Sequence, residues 1–468
     1  MNNSIRTLVS RSIIAALTIA FLVPTTLGAE PAQPNILFIL MDDLGYSDCG
    51  FSGGTVIKTP NLDRLAAGGA VLESLYVQPV CSPTRAALMT GRYATRTGVY
   101  TIVRPNAKWG LPLSERTLPT ALKDAGYETA ITGKWHLGEF DRAYLPTSRG
   151  FDHQYGHYFG ALDYDTHIRD GQHDWYRNDQ PVKEEGYTTH LLAREACRLI
   201  AEKDKSKPLF LYMPFNAVHS PLMVPDRYLE QYSALKGPRQ KLAGMLTAAD
   251  EAIGQVVAAL EQAGLRENTL IIFSSDNGGP KPGTNTPLRG FKGSIYEGGV
   301  RAAGFVNWPR HIPNGVRIKE PMHTVDWYPT LVKLAGGSIE QTNPLDGKDV
   351  WSMLSEGMPS PHEAILSVQT PERAAIRMGD WKLLLNASDK IADGMPESAP
   401  ELQRAAKKPN QPKLDQPKRE KIELYNLATD ISENQDLSAS DPQRVASMRA
   451  MLATMLQTAV PPGNLASE

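Results

Sequence analysis

The sequence predicts an α/β fold: a large, mainly parallel mixed sheet sandwiched by helices, followed by a smaller C-terminal α+β domain. Three observations carry this prediction. Short, wholly apolar runs alternate with amphipathic stretches, the pattern of strands buried between two layers of helices. The apolar runs lead into polar strings (DD, KWH, NAVH, SDNGG) at the place where such sheets bind ligands. After about residue 365 the alternation gives way to short strand patterns and one closing helix.

The elements follow in chain order. Residues 1–29 read as an export signal: Arg6 and Arg11, then the apolar run SIIAALTIAFLV at 12–23, then small residues ending at Ala29. That run is too short to span a bilayer, and no other long apolar segment follows. A periplasmic or secreted protein without a stable membrane span is expected. NILFILM (35–41) is the first buried strand, and NLDRLAAGG (61–69) and PTALKDAGY (119–127) are helical patterns. ETAITGKWHLG (128–138) begins as a strand and becomes a loop. KPLFLYMPFNAVHSP (207–221) and NTLIIFSSDNGG (268–279) are buried strands with polar tails, separated by a long amphipathic helix at 241–265. These elements make up a large domain over 30–365. The small domain, 366–468, holds strands at 374–386 and 421–427 and a helix at 442–459, with a loop-like insertion rich in Lys, Pro, Glu and Gln at 387–420.

Composition excludes several classes. The formal net charge of −2 over 468 residues carries no nucleic-acid footprint. Three cysteines (Cys49, Cys81 and Cys197) are too few and too scattered for a disulfide framework, and their odd number leaves at least one thiol unpaired or modified.

The polar strings carry the chemistry. Asp42 and Asp43 follow a strand directly. Two carboxylates side by side repel by roughly 4 kcal/mol at about 4 Å and an effective dielectric near 20. A cation removes that cost, and Asp276 with Asn277 would complete an all-oxygen set suited to Ca²⁺, less well to Mg²⁺. Helix capping and turn formation explain most such strings when each is taken alone. Lys134 and His136 share one face of an extended segment and would suit an oxyanion. His219 follows a buried strand, where it could donate a proton to a leaving group. Lys292, between glycines, adds a second mobile cation. Cys81 opens CSPTRAALMTGR, with Pro83 in the first turn of a helix and Gly91 at its end. At a helix N-terminus a thiol pKa is lowered, and Arg85 lies one turn on. Cys81 is thus either a thiolate nucleophile or a buried structural cysteine.

C-S-P-T-R followed by L-M-T-G-R resembles the signature of the formylglycine-dependent sulfatases of the alkaline phosphatase superfamily. D-D-L-G-Y, G-K-W-H-L-G, the histidine of N-A-V-H-S-P, S-D-N-G-G, the lysine of R-G-F-K-G-S, G-D-W-K-L and E-L-Y-N-L occur in that family's order, across roughly residues 33–437. Longer strings such as GFDHQYGHYFGALDYDTH and PLDGKDVW look closest to its N-acetylgalactosamine-4-sulfatase (arylsulfatase B) branch.

The resemblance implies an alkaline-phosphatase-like fold and hydrolysis of sulfate monoesters on sulfated glycans of the galactose or N-acetylgalactosamine type, or on aryl sulfates. It implies that Asp42, Asp43, Asp276 and Asn277 hold the divalent cation. A maturation enzyme would oxidise Cys81 to formylglycine, whose hydrate attacks sulfur. Arg85 and Lys134 would support that hydrate, and His136 would take a proton from its second hydroxyl to expel sulfate. His219 and Lys292 would bind the sulfate and serve the leaving oxygen. Two alternatives stay open at this stage: a phosphonate or phosphate-ester hydrolase of the same superfamily, and a sulfated-glycan-binding protein without turnover.

Overall fold

A computed structural model describes residues 33–388 and 420–463. The expected export signal at 1–29 and nearly all of the 387–420 insertion lie outside these residues. The described residues from 33 onward group as one compact unit.

Its centre is a ten-stranded sheet built from β1 (Asn35–Met41), β2 (Ala70–Leu72), β3 (Glu128–Lys134), β4 (His153–His157), β5 (Tyr176–Arg177), β6 (Gln180–Pro181), β7 (Leu209–Pro214), β8 (Thr269–Ser275), β9 (Gly304–Asn307) and β10 (Val316–Ile318). Their spatial order is β10-β2-β9-β8-β1-β7-β3-β4-β5-β6. The five central strands, β8 to β4, are all parallel, while β9 and β5 run antiparallel to their neighbours. The sheet is therefore mixed but mainly parallel at its core, as the apolar runs predict.

Both faces of the sheet are covered. Every residue of β1 is buried. Leu37, Ile39 and Met41 enter a core shared with α1 (Pro60–Ala67), α4 (Thr188–Glu202) and α5 (Gly237–Gln262). Ile36, Phe38 and Leu40 enter the opposite core, against α2 (Cys81–Thr90), α3 (Leu118–Asp124) and α6 (Trp327–Leu334). Alternate residues of a strand face opposite sides, so one seven-residue segment anchors two helical layers.

Because β8, β1, β7 and β3 are parallel neighbours, their carboxyl ends share one edge. Asp276–Asn277, Asp42–Asp43, the loop to His219 and the Lys134–His136 segment emerge there side by side. Backbone bonds continue past the strand ends: Asp42 N donates to Ala217 O at 3.0 Å, Val218 N to Asp42 O at 2.7 Å, and Asp276 N to Met41 O at 3.0 Å.

A second, antiparallel sheet follows. Its strands β11 (Ile365–Thr370), β12 (Arg373–Met378), β13 (Trp381–Leu385) and β14 (Ile422–Asn426) pair in sequence order, with α7 (Pro442–Leu456) packed against them. The single strand expected at 374–386 is a hairpin turning at Gly379, whose φ is 55°. The core of this sheet includes Ala87, Tyr93 and Val325 of the main body beside Leu366, Ile376, Leu383 and Leu424. Among the described residues, no helix is long and apolar enough to cross a membrane.

Candidate active site

The ten residues singled out from the sequence come together beneath one cavity. None is more than 6% exposed. Each arrives from the end of a strand or the start of a buried segment, so sheet topology does most of the assembly.

The carboxylates come first. β1 ends at Met41, and Asp43 takes a left-handed φ of 64°, which turns its side chain back toward that of Asp42. A non-glycine residue rarely adopts this conformation, and strain of this kind gathers at functional sites. Asp43 N donates to Asp276 Oδ1 at 3.2 Å, and Asn277 Nδ2 donates to Asp43 Oδ1 at 2.8 Å. Asp42 Oδ1 and Asn277 Oδ1 are buried acceptors with no hydrogen-bond partner. Orphaned buried oxygens are costly and call for an explanation. Ligand atoms of Asp42, Asp43 and His219, and of Asp42, Cys81 and Asp276, all lie within 4.8 Å of one another in each group. The oxygens of Asp42, Asp43, Asp276 and Asn277 within this cluster, two of them without a hydrogen-bond partner, fit a hard divalent cation.

Three buried cations interleave with the acids. Lys134 Nζ lies 2.5 Å from Asp42 Oδ2. Arg85 Nη2 lies 2.7 Å from Asp276 Oδ2 and 3.8 Å from Asp42 Oδ2, while its Nη1 donates to Lys134 O at 3.1 Å. Lys292 Nζ lies 2.9 Å from Asp43 Oδ1 and 3.0 Å from its Oδ2. Burial works against ionisation of Asp43, but Lys292 and His219 outweigh it and hold the carboxyl at about 2. Burial and the nearby Asp42 carboxylate push Asp276 up to about 6 despite Arg85. Three fixed cations cancel three carboxylates, so a bound dication would leave the site net positive, as an anionic ester requires.

Two sequence expectations are corrected here, and one of the two open readings of Cys81 is disfavoured. Burial pushes the Cys81 thiol up to about 12, and the pull of Lys134 and Lys292 does not offset it. The helix N-terminus therefore does not make Cys81 a thiolate, because desolvation outweighs the dipole. Lys292 is not mobile: it is buried and fixed by Asp43. The face-sharing of Lys134 and His136 also has a different origin. β3 ends at Lys134, and His136 reaches the site through a left-handed φ of 60°. Its backbone N donates to Tyr158 O at 3.0 Å, and Ser82 Oγ donates to its carbonyl at 2.9 Å. Burial, then Lys134 and Arg85, keep the His136 imidazole well below its usual pKa and hence neutral. His219 Nδ1 donates to Ser220 O at 2.6 Å, and its Nε2 lies 3.7 Å from Asp43 Oδ2.

The helix α2 was legible. Pro83 sits in its first turn and Gly91 closes it with φ 67°. Its register places Arg85 one turn from Cys81, with both side chains buried. All three cysteines are free thiols.

Above Cys81 opens a cavity of about 220 Å³, whose walls include His136, His219, Lys292, Arg104, Arg169 and Gly160. The last three escaped the sequence reading. The D-G pair at 170–171 was the available signal for Arg169. It is a strong marker of a tight hairpin, and Ile168–Arg169 does pair antiparallel with Gln172–His173. Nothing local marks Arg104 or Gly160.

A family model described as Sulfatase matches residues 34–338, a span that contains all ten site residues. The chain belongs to the sulfatase family. As a sulfatase it is a sulfuric ester hydrolase. It is 40% identical to mouse arylsulfatase J over 465 residues, covering 92% of this chain and 77% of the relative. It is 33% identical to rat N-acetylgalactosamine-6-sulfatase over 357 residues, covering 70% and 67%. Among solved structures, Ps i-CgsB in complex with k-i-k-neocarrahexaose superposes with a TM-score of 0.81 at 32% identity, covering 92% of this chain and 94% of the other.

Proposed function

We propose that this sulfatase is exported and removes sulfate from sulfated glycans of the galactose or N-acetylgalactosamine type, using formylglycine at position 81 and a divalent cation, Ca²⁺ in preference to Mg²⁺. One observation carries the reading: ten chemically apt side chains from separate segments converge beneath a single cavity, with Cys81 at its floor. Burial pushes the Cys81 thiol up to about 12, so an unmodified thiol would be a poor nucleophile there. The glycan class is supported by the arylsulfatase B-like strings in the sequence and by the sugar-bound neighbour.

Formylglycine would supply a hydrated aldehyde, with one hydroxyl to attack sulfur and a second through which sulfate leaves by elimination. The cation, held by Asp42, Asp43, Asp276 and Asn277, would supply positive charge next to the sulfate. The chain's own groups do the rest. Arg85 and Lys134 are buried and act electrostatically on position 81, where they stabilise developing negative charge without reorganising at the moment of reaction. His136, neutral and lining the cavity, is ready to accept a proton from the hydrate. Lys292 and His219 line the same cavity as Cys81, where they bind sulfate oxygens and assist the departing oxygen.

Mass spectrometry of the peptide containing position 81, after co-expression with a formylglycine-generating enzyme, should show an aldehyde in place of the thiol. Sulfate release should then be measured across defined sulfated oligosaccharides, with matched aryl sulfate and aryl phosphate esters alongside. A Cys81→Ala protein that keeps full sulfate release, or faster turnover of the phosphate ester, would refute the reading.

A further inference from the structure

The cavity mouth carries charge that the ten site residues do not account for. Arg104 and Arg169 both line it, from two unrelated segments. Each is held in place by its own scaffold. Arg104 follows Val103, whose N donates to Ser82 Oγ at 3.1 Å, and Ser82 is the residue after Cys81. Asn106 N donates to Glu139 Oε1 at 2.7 Å and pins the other end of this loop. Arg169 sits on the two-stranded hairpin, whose turn residues Asp170 and Gly171 have φ of 50° and 80°. Positive φ at both central positions is the geometry that matches strand twist and gives a stiff hairpin. At the hairpin's base, His173 Nε2 donates to Val182 O at 2.9 Å and His167 Nε2 to Gly186 O at 3.0 Å.

The two guanidiniums sense each other. Burial, then the positive charge of Arg169, push Arg104 below the ordinary arginine pKa. Asp170 Oδ2 accepts from Arg169 Nε at 3.0 Å and is the one carboxylate among the lining residues. That bond occupies Nε alone, whereas a guanidinium carries five N–H donors in a fork suited to bidentate anions. Lys292, His136 and His219 line the same cavity and, in the sulfatase reading, would hold the sulfate to be cleaved. A second pair of like charges lines the same cavity and suits a second anion.

We propose that Arg104 and Arg169 form a subsite for a second anionic group, a sulfate or a carboxylate, on the sugar next to the one being desulfated. The enzyme would thus select polyanionic glycans over singly sulfated ones. The proposal rests on the sulfatase reading above and adds to it the charge pattern of the substrate.

The test compares three disaccharides that share one cleavable sulfate. One carries no other charge, one carries a second sulfate on the neighbouring sugar, and one carries a uronate carboxylate there. Arg104→Gln and Arg169→Gln, singly and combined, are compared with the wild type and with the charge-retaining Arg104→Lys and Arg169→Lys, with thermal unfolding as a check on the fold. The wild type should show a higher kcat/KM on at least one doubly charged substrate, and the two charged arms tell sulfate from carboxylate. In the double glutamine variant that preference should fall about 30-fold, mostly through KM, with the lysine variants intermediate. Added salt should erode the preference in the wild type and leave that of the double variant flat. A wild type without preference, or a double variant with the wild-type ratio, overturns the subsite. Wild-type release of sulfate from the singly charged substrate reports the sulfatase reading separately.

Discussion

Gly160 faces His136 at a distance that leaves no room for a side chain: a Cβ at position 160 would lie 2.5 Å from His136 Nε2. His136 is already held in a left-handed backbone conformation by Tyr158 and Ser82, so it has few ways to yield. Gly160→Ala should therefore displace the imidazole while leaving the core intact. Displacements of about 1 Å at a reacting group cost on the order of 100-fold in rate. The expected outcome is a kcat lower by about that factor with a thermal midpoint within a few degrees of wild type. Near-wild-type kcat would show that His136 tolerates the shift and is not positioned for proton transfer.

The oxygen cluster makes a prediction about metal. Asn277 contributes an orphaned buried oxygen and also orients Asp43 through its amide. Asn277→Ala removes both effects without changing charge. After chelation, activity titrated with free Ca²⁺ should show half-saturation shifted upward by about 10- to 100-fold in this variant, with recovery at high Ca²⁺. Mg²⁺ should restore less, because it demands shorter, near-octahedral contacts than side chains arriving from two strand ends readily provide. Activity that survives chelation in the wild type would contradict the cation assignment.

How much of this was readable in the sequence depends on what each residue relies on. Asp42, Asp43, Asp276 and Asn277 were readable because buried parallel strands announce themselves as apolar runs, and parallel strands place their carboxyl ends on one edge. The short strands β2 and β10, of three residues each, are too brief to leave a periodic signal. β4, HQYGH, is buried at four of its five positions yet polar in composition, so its place beside β3 shows only in the folded sheet. The two readings of Cys81 stayed open in the sequence because a helix terminus is a local feature, whereas burial is a property of the whole fold. Arg104 and Arg169 escaped for a similar reason: they meet only after a loop and a hairpin 65 residues apart in sequence pack over the same cavity.

Burial also makes a prediction about stability and pH, away from the catalytic groups. Lys382 lies between Glu297, at 2.8 Å, and Glu433, at 3.0 Å, where the second sheet meets the body. Burial opposes ionisation of Glu297, but Lys382 and Arg301 hold it at about 2. Burial pushes Glu433 up to about 7 against the pull of Lys382. A carboxyl raised in the folded state binds its proton more tightly there than in the unfolded chain. Its contribution is full below the ordinary value of 4.5 and is lost as pH rises through about 7. Glu297 acts in the opposite sense, and only as pH falls below 4.5 toward 2. Between pH 5 and 7 Glu433 therefore contributes one part of the slope, beside Asp276, Asp174 and Glu139, which burial also raises into or above this window. Glu433→Gln, whose amide oxygen can still accept from Glu297 N, should flatten that slope, by on the order of 2 kcal/mol across the window. Chemical denaturation at a series of pH values measures it, and parallel slopes in the two proteins would refute it.

Arg85 ties the two halves of the active site together, and its removal should be felt in both stability and rate. The side chain is 1% exposed, with Nη2 on Asp276 and Nη1 on the carbonyl of Lys134. Arg85→Met keeps the volume but leaves Asp276 buried without its cation, a loss that typically costs 3–5 kcal/mol, within a range of roughly that size. Asp276 is already pushed up to about 6 and should then take a proton at neutral pH, which would weaken any cation held there. Arg85→Lys should recover part of the stability, since the charge returns, but less of the rate, because an ammonium cannot span the carboxylate and the carbonyl together. The double variant Arg85→Met with Asp276→Asn separates the two effects. Neutralising Asp276 removes the uncompensated charge, so the double variant should be more stable than Arg85→Met alone while remaining inactive. Unfolding free energies of the four proteins in this cycle measure the coupling directly. Additive losses would mean that the 2.7 Å contact between Arg85 and Asp276 contributes nothing beyond its parts.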